Sequence, residues 1–328
     1  MDSKLDYESL KPFLEDLPAK LKLHKGGRSL WPHFVYHSTE VHNTVSILKK
    51  GYVYSRNKAK ELGLLEYDIA SESVISSTRN EIKDYVRFYF RPRTPTQYRN
   101  EGIRPVDSPN SDAHCPIPVY LLFDSVEVLS IESTRFSDGN LGSFYIDPLH
   151  SVKEFKNLPF ELIYHVGAFP NSERDRIINC RNAEVIVPEK LSTDYLRLIY
   201  CRSDAEKDTL LNLMPTEISN IWSGYIKVDD LGQLFYKEWT FIDIVRSYDS
   251  KITLYFSPET KTPGPFEPFI ELYDLGGDLI ESLNYKKINC NKVYNFPFKN
   301  SHAEYMIKVF LSGILAYQGY HIDYDLPF

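Results

Sequence analysis

Residues 85–99 read YVRFYFRPRTPTQYR, and this stretch decides how the first part of the chain is read. Tyr85 to Phe90 alternates and is rich in aromatics, the period and propensity of a β-strand. Phe88 and Phe90 fall on one side and are expected to face a core. The Pro-rich continuation cannot carry on as a central strand, so it presents its polar residues at the surface. Aromatics interleaved with arginines can stack on bases and pair with phosphates. The bland alternative is a core strand with solvated polar neighbours, and both can hold at once.

Upstream of this strand, Pro32 to His37 reads as another strand. It leads through Ser38 and Thr39 into an amphipathic helix, Thr39 to Lys50, with a glycine stop at Gly51. His37 and Thr39, two apart in a strand, share a face and can hydrogen-bond the ribose or amide of a nucleotide. Taken alone, a structural His and a helix-capping Ser or Thr account for them at least as well. Between the two strands lies a hydroxyl-rich loop, SSTRN, holding Arg79. Residues 4–22 suggest one or two short helices broken by Pro12 and Pro18. Downstream, residues 116–124, 127–131, 161–166 and 183–187 read as short strands, and SDAEKDTLLNL within 191–213 reads as a helix. After the polar loop SERDR (172–176), Arg181-Asn182-Ala183-Glu184 opens an apolar strand. Asn182 and Glu184 share one face by the period of two. The pair could align a nucleophile and stabilise a developing cation, although a Glu at a strand edge is commonly a solvated charge.

The whole chain has 328 residues, 42% hydrophobic and 25% charged, with 24 Tyr and 19 Phe. That composition excludes extensive disorder. No apolar run approaches the ~20 residues of a membrane span, and the first residues lack the pattern of a secretory signal. Four scattered cysteines form neither a zinc signature nor a disulfide framework. A reducing cytoplasmic location is therefore expected. The net charge of −7 argues against indiscriminate nucleic-acid binding. Fourteen of the fifteen arginines precede residue 224, so the first two thirds look phosphate-handling. From residue 224 the style changes to short strands, near 225–228, 239–245, 251–256, 269–274, 279–283 and 305–311, separated by Gly and Pro turns. These suggest a small antiparallel sandwich.

The order YHST, KKGYVYS, DYVRFYFRPRTPTQY and RNAEVIVP, across about residues 33–200, resembles the DarT family of ADP-ribosyltransferase toxins, which modify DNA bases using NAD. The resemblance implies an α+β fold with an ADP-ribosyltransferase-like split β-sheet, in a catalytic domain placed at residues 1–215; the change of style places a β-rich accessory domain at 224–328. It implies that His37 and Thr39 bind nicotinamide and ribose, and that Glu184 is the catalytic glutamate. It also implies an upstream arginine, Arg79 with Arg56 as the alternative, that is catalytic and binds NAD. Tyr36 or Tyr89 can sandwich the nicotinamide. Asn182 stands where the family has Gln, which preserves the amide but shortens its reach. No Gly-x-Gly-x-x-Gly fingerprint occurs, and no metal is required.

The expected acceptor is single-stranded DNA. Arg91, Arg93 and Arg99 would grip its phosphates, and the loop with Arg174, Arg176, Arg181 and Asn182 would choose the base. An RNA acceptor, or a non-catalytic nucleotide- or nucleic-acid-binding module, are the alternatives. The antagonist implied by the family is a separate macrodomain protein, with no membrane involved. The last part of the chain, with 10 basic against 14 acidic residues, is expected to make protein contacts or gate the target rather than bind DNA.

Overall fold

A computed structural model describes residues 7–23, 27–68, 76, 78–105, 114–142 and 146–322. In chain order the first part holds α1 (Tyr7–Lys20), β1 (Phe34–Glu40), α2 (Val41–Lys50), β2 (Tyr52–Tyr54), α3 (Arg56–Glu61), β3 (Tyr85–Tyr89), α4 (Pro95–Asn100) and β4 (Pro118–Asp124). It continues with α5 (Ser125–Leu129), β5 (Arg135–Phe136), α6 (Val152–Lys156), α7 (Phe160–Ile163), α8 (Arg174–Cys180), β6 (Glu184–Pro188), β7 (Lys190–Ser192), β8 (Leu196–Cys201), α9 (Asp204–Leu213), α10 (Thr216–Trp222) and β9 (Ile226–Val228).

Seven strands form one sheet in the order β5-β6-β3-β1-β4-β8-β9, and β2 pairs separately with β7. The centre of the large sheet is apolar. Val35 of β1, Phe88 of β3, Val119, Leu121 and Phe123 of β4, and Val185 of β6 have no exposed surface. The rings of Phe88 and Phe123 meet edge to face at 5.2 Å. β1 pairs with β4 along its whole length, from Phe34↔Asp124 to Glu40↔Pro118. On its other side it registers with β3 only at Tyr36↔Tyr89. The sheet is therefore split between its two central strands, as the sequence implies.

Several segments differ from expectation. Residues 7–20 are one helix through both prolines. Leu10, Leu14 and Leu17 recur at helical spacing and are at most 3% exposed, and burying that stripe outweighs the backbone bonds that the prolines remove. Residues 127–131 were expected as a strand but fall mostly in α5, because the Asp124 side chain ends β4 and caps a helix by accepting from the Glu127 N–H at 3.0 Å. Residues 161–166 contribute to α7, where Phe160 and Ile163, three apart, are buried on one side. β9 was expected to open the second part. It instead pairs in parallel with β8 at the edge of the large sheet, and Leu234 and Phe235 also pack in the first core.

The remainder is β10 (Ile242–Tyr248), β11 (Lys251–Phe256), β12 (Pro268–Tyr273), β13 (Leu279–Asn284), β14 (Val293–Pro297), β15 (Glu304–Leu311) and β16 (Ile314–Ile322). They form two antiparallel sheets, β10-β11-β14 and β13-β12-β15-β16. One core lies between them, with Ile252, Leu254 and Phe296 from one sheet and Ile270, Leu272, Ile307 and Val309 from the other. The sequence missed β14 and β16. Among the described residues no helix is long and apolar enough to cross a membrane.

The junction is built on a fully buried cation. Arg202, with no exposed surface, pairs with Glu206 one helical turn on and lies 3.6 Å from Glu101. It also donates to the Pro116 carbonyl at 2.9 Å and stacks on Phe241. Glu101 in turn accepts from the Tyr236 and Lys237 N–H groups, at 2.9 and 2.7 Å. Burial pushes the Glu206 carboxyl up to about 7 against the pull of Arg202. Because that value lies above the unfolded one, the stability Glu206 contributes is complete below pH ~4.5 and lost as pH rises toward 7. Two outcomes follow for urea denaturation. Arg202→Met strands two buried carboxylates and lowers the unfolding free energy by ~3–5 kcal/mol. Glu206→Gln flattens the decline between pH 5 and 7, and an unaltered pH profile would contradict this account.

Candidate active site

The split between β1 and β3 makes the site. Past the Tyr36↔Tyr89 pair, the Arg87 carbonyl faces the opening and receives the His37 ring, Nδ1 to O at 3.0 Å. A carbonyl can only accept, so Nδ1 carries the proton and Nε2 keeps its lone pair. Burial pushes the His37 pKa down, partly offset by this hydrogen bond, and the ring is neutral at pH 7.

His37, Ser38 and Thr39 line a cleft of about 190 Å³ together with Ile47 of α2, Tyr52 and Tyr54 of β2, Arg56 of α3, Tyr67, Asp68 and Arg87. Local chemistry sets each wall. Gly51, in the left-handed conformation at φ 75°, ends α2 and turns the chain into β2. Ser55 caps α3 by accepting from the Lys58 N–H, which places Arg56 at the first helical position, paired with Asp68. Asn43 holds the 66–67 segment: its Nδ2 donates to the Tyr67 carbonyl at 2.6 Å, and its Oδ1 accepts from the Glu66 and Tyr67 N–H groups at 3.1 Å.

Behind the cleft stands Glu184, with no exposed surface. It registers with Tyr89 across β3 and β6. Both its oxygens are taken by Arg87: Nε to Oε2 and Nη2 to Oε1, each 2.6 Å. The Leu141 N–H adds a longer bond to Oε1 at 3.3 Å, and the Ser137 hydroxyl accepts from the Glu184 N–H at 3.2 Å. Burial pulls the Arg87 pKa down, but Glu184 outweighs it and holds the guanidinium above its ordinary value. The arrangement is a carboxyl group gripped at both oxygens by one guanidinium, and that guanidinium itself borders the cleft. β6 is flanked by β5 and β3, so Glu184 is not the solvated strand-edge charge considered from sequence.

The structure brings His37, Thr39, Arg56 and Glu184 to this region, and adds Arg87, which the sequence reading passed over. Its signal was present: an Arg at the middle of an aromatic strand needs a buried partner. Tyr36 is elsewhere. It is 1% exposed, its hydroxyl reaches the Trp31 carbonyl at 3.4 Å, and its ring meets Tyr120 edge to face. It cannot sandwich a ligand in the cleft. Tyr89 is half-buried beside Ser38, Thr94 and Thr96. Arg79 donates to Asp147 at 2.9 Å and to the Ile146 carbonyl at 2.7 Å, and it does not line the cleft.

The expected acceptor residues divide similarly. Arg91 is 3% exposed and spent on the Pro92, Ile163 and His165 carbonyls and on the Trp31 ring, so it is structural rather than a phosphate grip. Arg181 binds the His165 and Gly167 carbonyls and the His165 ring. The Asn182 amide joins two helices, accepting from the Thr96 hydroxyl at 3.1 Å and donating to the Ile178 carbonyl at 3.0 Å. Arg93 lies over the Tyr236 ring. Arg99, Arg174 and Arg176 are exposed. Among the described residues no group of His, Cys, Asp or Glu is arranged to hold a metal ion.

A family model described as "ssDNA thymidine ADP-ribosyltransferase, DarT" matches residues 36–229. Among solved structures, Thermus sp. 2.9 DarT in complex with NAD+ aligns at a TM-score of 0.46 and 17% identity, over 62% of this chain and 98% of that one. The same protein in complex with ADP-ribosylated ssDNA aligns at 0.49 and 18%, over 62% and 97%. Thermosipho africanus DarTG in complex with ADP-ribose aligns at 0.47 and 17%, over 64% and 53%. No curated protein matches the chain. The family match takes in more than half of the sequence, from Tyr36 through the cleft and Glu184 to the end of β9, and the chain belongs to the DarT family of NAD-dependent ADP-ribosyltransferases that act on single-stranded DNA.

Proposed function

We propose that this chain transfers ADP-ribose from NAD to thymidine in single-stranded DNA at the split between β1 and β3, with Glu184 as the catalytic carboxylate. The observation that carries this reading is a fully buried Glu184 held at both oxygens by an arginine that itself borders the cleft.

The residues present suit NAD. The cleft's volume of about 190 Å³ is below the ~300 Å³ at the small end of ligand pockets, so it takes one end of a dinucleotide and leaves the rest along its rim. The unprotonated His37 Nε2 and the Thr39 hydroxyl offer an acceptor and a donor for ribose or carboxamide. Arg56 supplies the cation for the pyrophosphate. When bound, NAD supplies a ribose whose bond to nicotinamide breaks and leaves positive charge at the anomeric carbon. Glu184 stabilises that charge from behind the cleft. Arg87 holds Glu184 in place until then, and yields one of its two hydrogen bonds as the carboxylate turns to the ribose. Glu184 then takes the proton that the acceptor base gives up. Asn182 holds α8 against α4 through Thr96 and so positions the loop that meets the acceptor. The antagonist in this reading is a separate macrodomain protein.

Glu184→Gln keeps the side-chain shape and lowers transfer to a thymidine-containing oligonucleotide by ~10²–10⁴-fold, read by mass spectrometry after incubation with NAD. Near-normal transfer by the folded variant would overturn the mechanism. Arg56→Ala weakens NAD about tenfold in calorimetric titration, the ~1.4 kcal/mol of one charge-assisted bond, whereas Arg79→Ala changes it less than about twofold. The reverse ranking would return the cofactor arginine to Arg79.

A further inference from the structure

The role of β10–β16 is the part of the molecule that the active site leaves unexplained. Among the described residues, the β10-β11-β14 sheet buries one face against its partner sheet and turns the other to solvent, with only Thr253 in its middle buried under its neighbours. On that outer face the registers place Tyr248 opposite Lys251, and Arg246 opposite Thr253 and then Asn295. Tyr255 stands between Ile244 and Val293. Tyr248 is 42% exposed, Val293 48% and Ile244 37%, and Arg246, Lys251 and Asn295 are exposed as well. Each tyrosine carries a cation: Arg246 lies 5.2 Å from the Tyr255 ring centre and Lys251 lies 5.1 Å from that of Tyr248. No acidic residue stands at any register position of this face. It is therefore locally basic, although residues 224–328 as a whole carry a net charge of −4, with 10 basic against 14 acidic residues.

We propose that this face is a second binding surface for the single-stranded DNA acceptor, with Tyr248 and Tyr255 as stacking platforms and Arg246 and Lys251 on backbone phosphates. The inference rests on the transfer reaction to single-stranded DNA given above. Flat sheet faces bearing aromatics and cations take unpaired bases, because every base offers a stacking surface and every nucleotide a phosphate. A protein partner fits less well. The buried centre of a protein interface is depleted in charge and in Lys, whereas here a cation sits on each ring. The proposal departs from the expectation that acidity excludes DNA from this part of the chain, since no acidic residue occupies a register position of this face.

The test uses the full chain and fluorescence anisotropy with labelled, thymidine-containing single strands of roughly 10 and roughly 40 nucleotides, set against the ~4–16 nucleotides that one small β module covers. Two variants probe the face: Arg246→Glu with Lys251→Glu, and Tyr248→Ser with Tyr255→Ser. All four positions are solvent-facing or half-buried, and melting curves confirm the fold. The long strand binds each variant at least tenfold more weakly than it binds the unaltered chain. In the charge-reversed variant the slope of log affinity against log salt falls by ~1.4, which is two phosphate contacts at ~0.7 each. The short strand, held by the cleft alone, changes less than about twofold. An unchanged long-strand affinity and slope in both variants overturns the proposal, as does an equal loss for both strands. Transfer by the unaltered chain to the short strand is measured alongside: its absence would count against the transferase reading itself, while the long-strand affinity judges the face.

Discussion

A carboxyl group with no exposed surface needs a partner for each of its oxygens, and the transferase part of this chain is arranged around that constraint. Glu184 finds both partners in Arg87, at 2.6 Å to each oxygen, and removing that guanidinium would leave a buried polar group unpaired. The pair spans the β3–β6 ladder, so the sheet's register and the pairing of Arg87 with Glu184 are one problem. A slip of one residue in β3 would turn Arg87 to the opposite face and leave Glu184 without its partner. The aromatic side of β3, with Phe88 fully buried, anchors that register. Chemistry on one face of the strand is thus secured by packing on the other.

Much of this was legible in the sequence, and the pattern of what was not is physical. Period-two alternation identified β3, and the family resemblance singled out His37 and Thr39, which line the cleft, and Glu184, which is held by the Arg87 that borders it. Alternation could not say which side of β1 faces solvent, so Tyr36 was credited to the cleft although it lies in the core. Arg79 and Arg56 could not be separated by spacing. Their distinction is a matter of partners: Asp147 and the Ile146 carbonyl draw Arg79 away, while the Ser55 cap sets Arg56 at the rim. Arg87 was overlooked because a charge in a strand reads as solvated until the opposite strand is known. The short apolar runs near 127–131 and 161–166 carry too few residues for a period to show. A capping Asp124 and a preceding Pro159 decided them.

The β-rich part is bound to the transferase part by charge as well as by apolar contact. Arg202, Glu206 and Glu101 are all buried, and Glu101 holds the chain at Tyr236 and Lys237 where it leaves the large sheet. Ile103 and Ala205, from the transferase part, pack in the second core. Separating the two parts would therefore expose the Arg202 guanidinium, its carboxyl partners and apolar surface together. The single β9 strand, late in sequence but at the edge of the first sheet, shows why composition placed the boundary too early.

His37 also acts as a wedge. In an unbroken ladder the Arg87 carbonyl would accept from a backbone N–H of β1, and the two strands would zip closed. Here an imidazole occupies that acceptor, and the opening persists because the competing backbone bond is already replaced in kind. The gap that admits the ligand is thus an exchange of one hydrogen bond for another rather than a bond left unmade, and a side chain without a donor at position 37 would leave the sheet free to heal over its own active site.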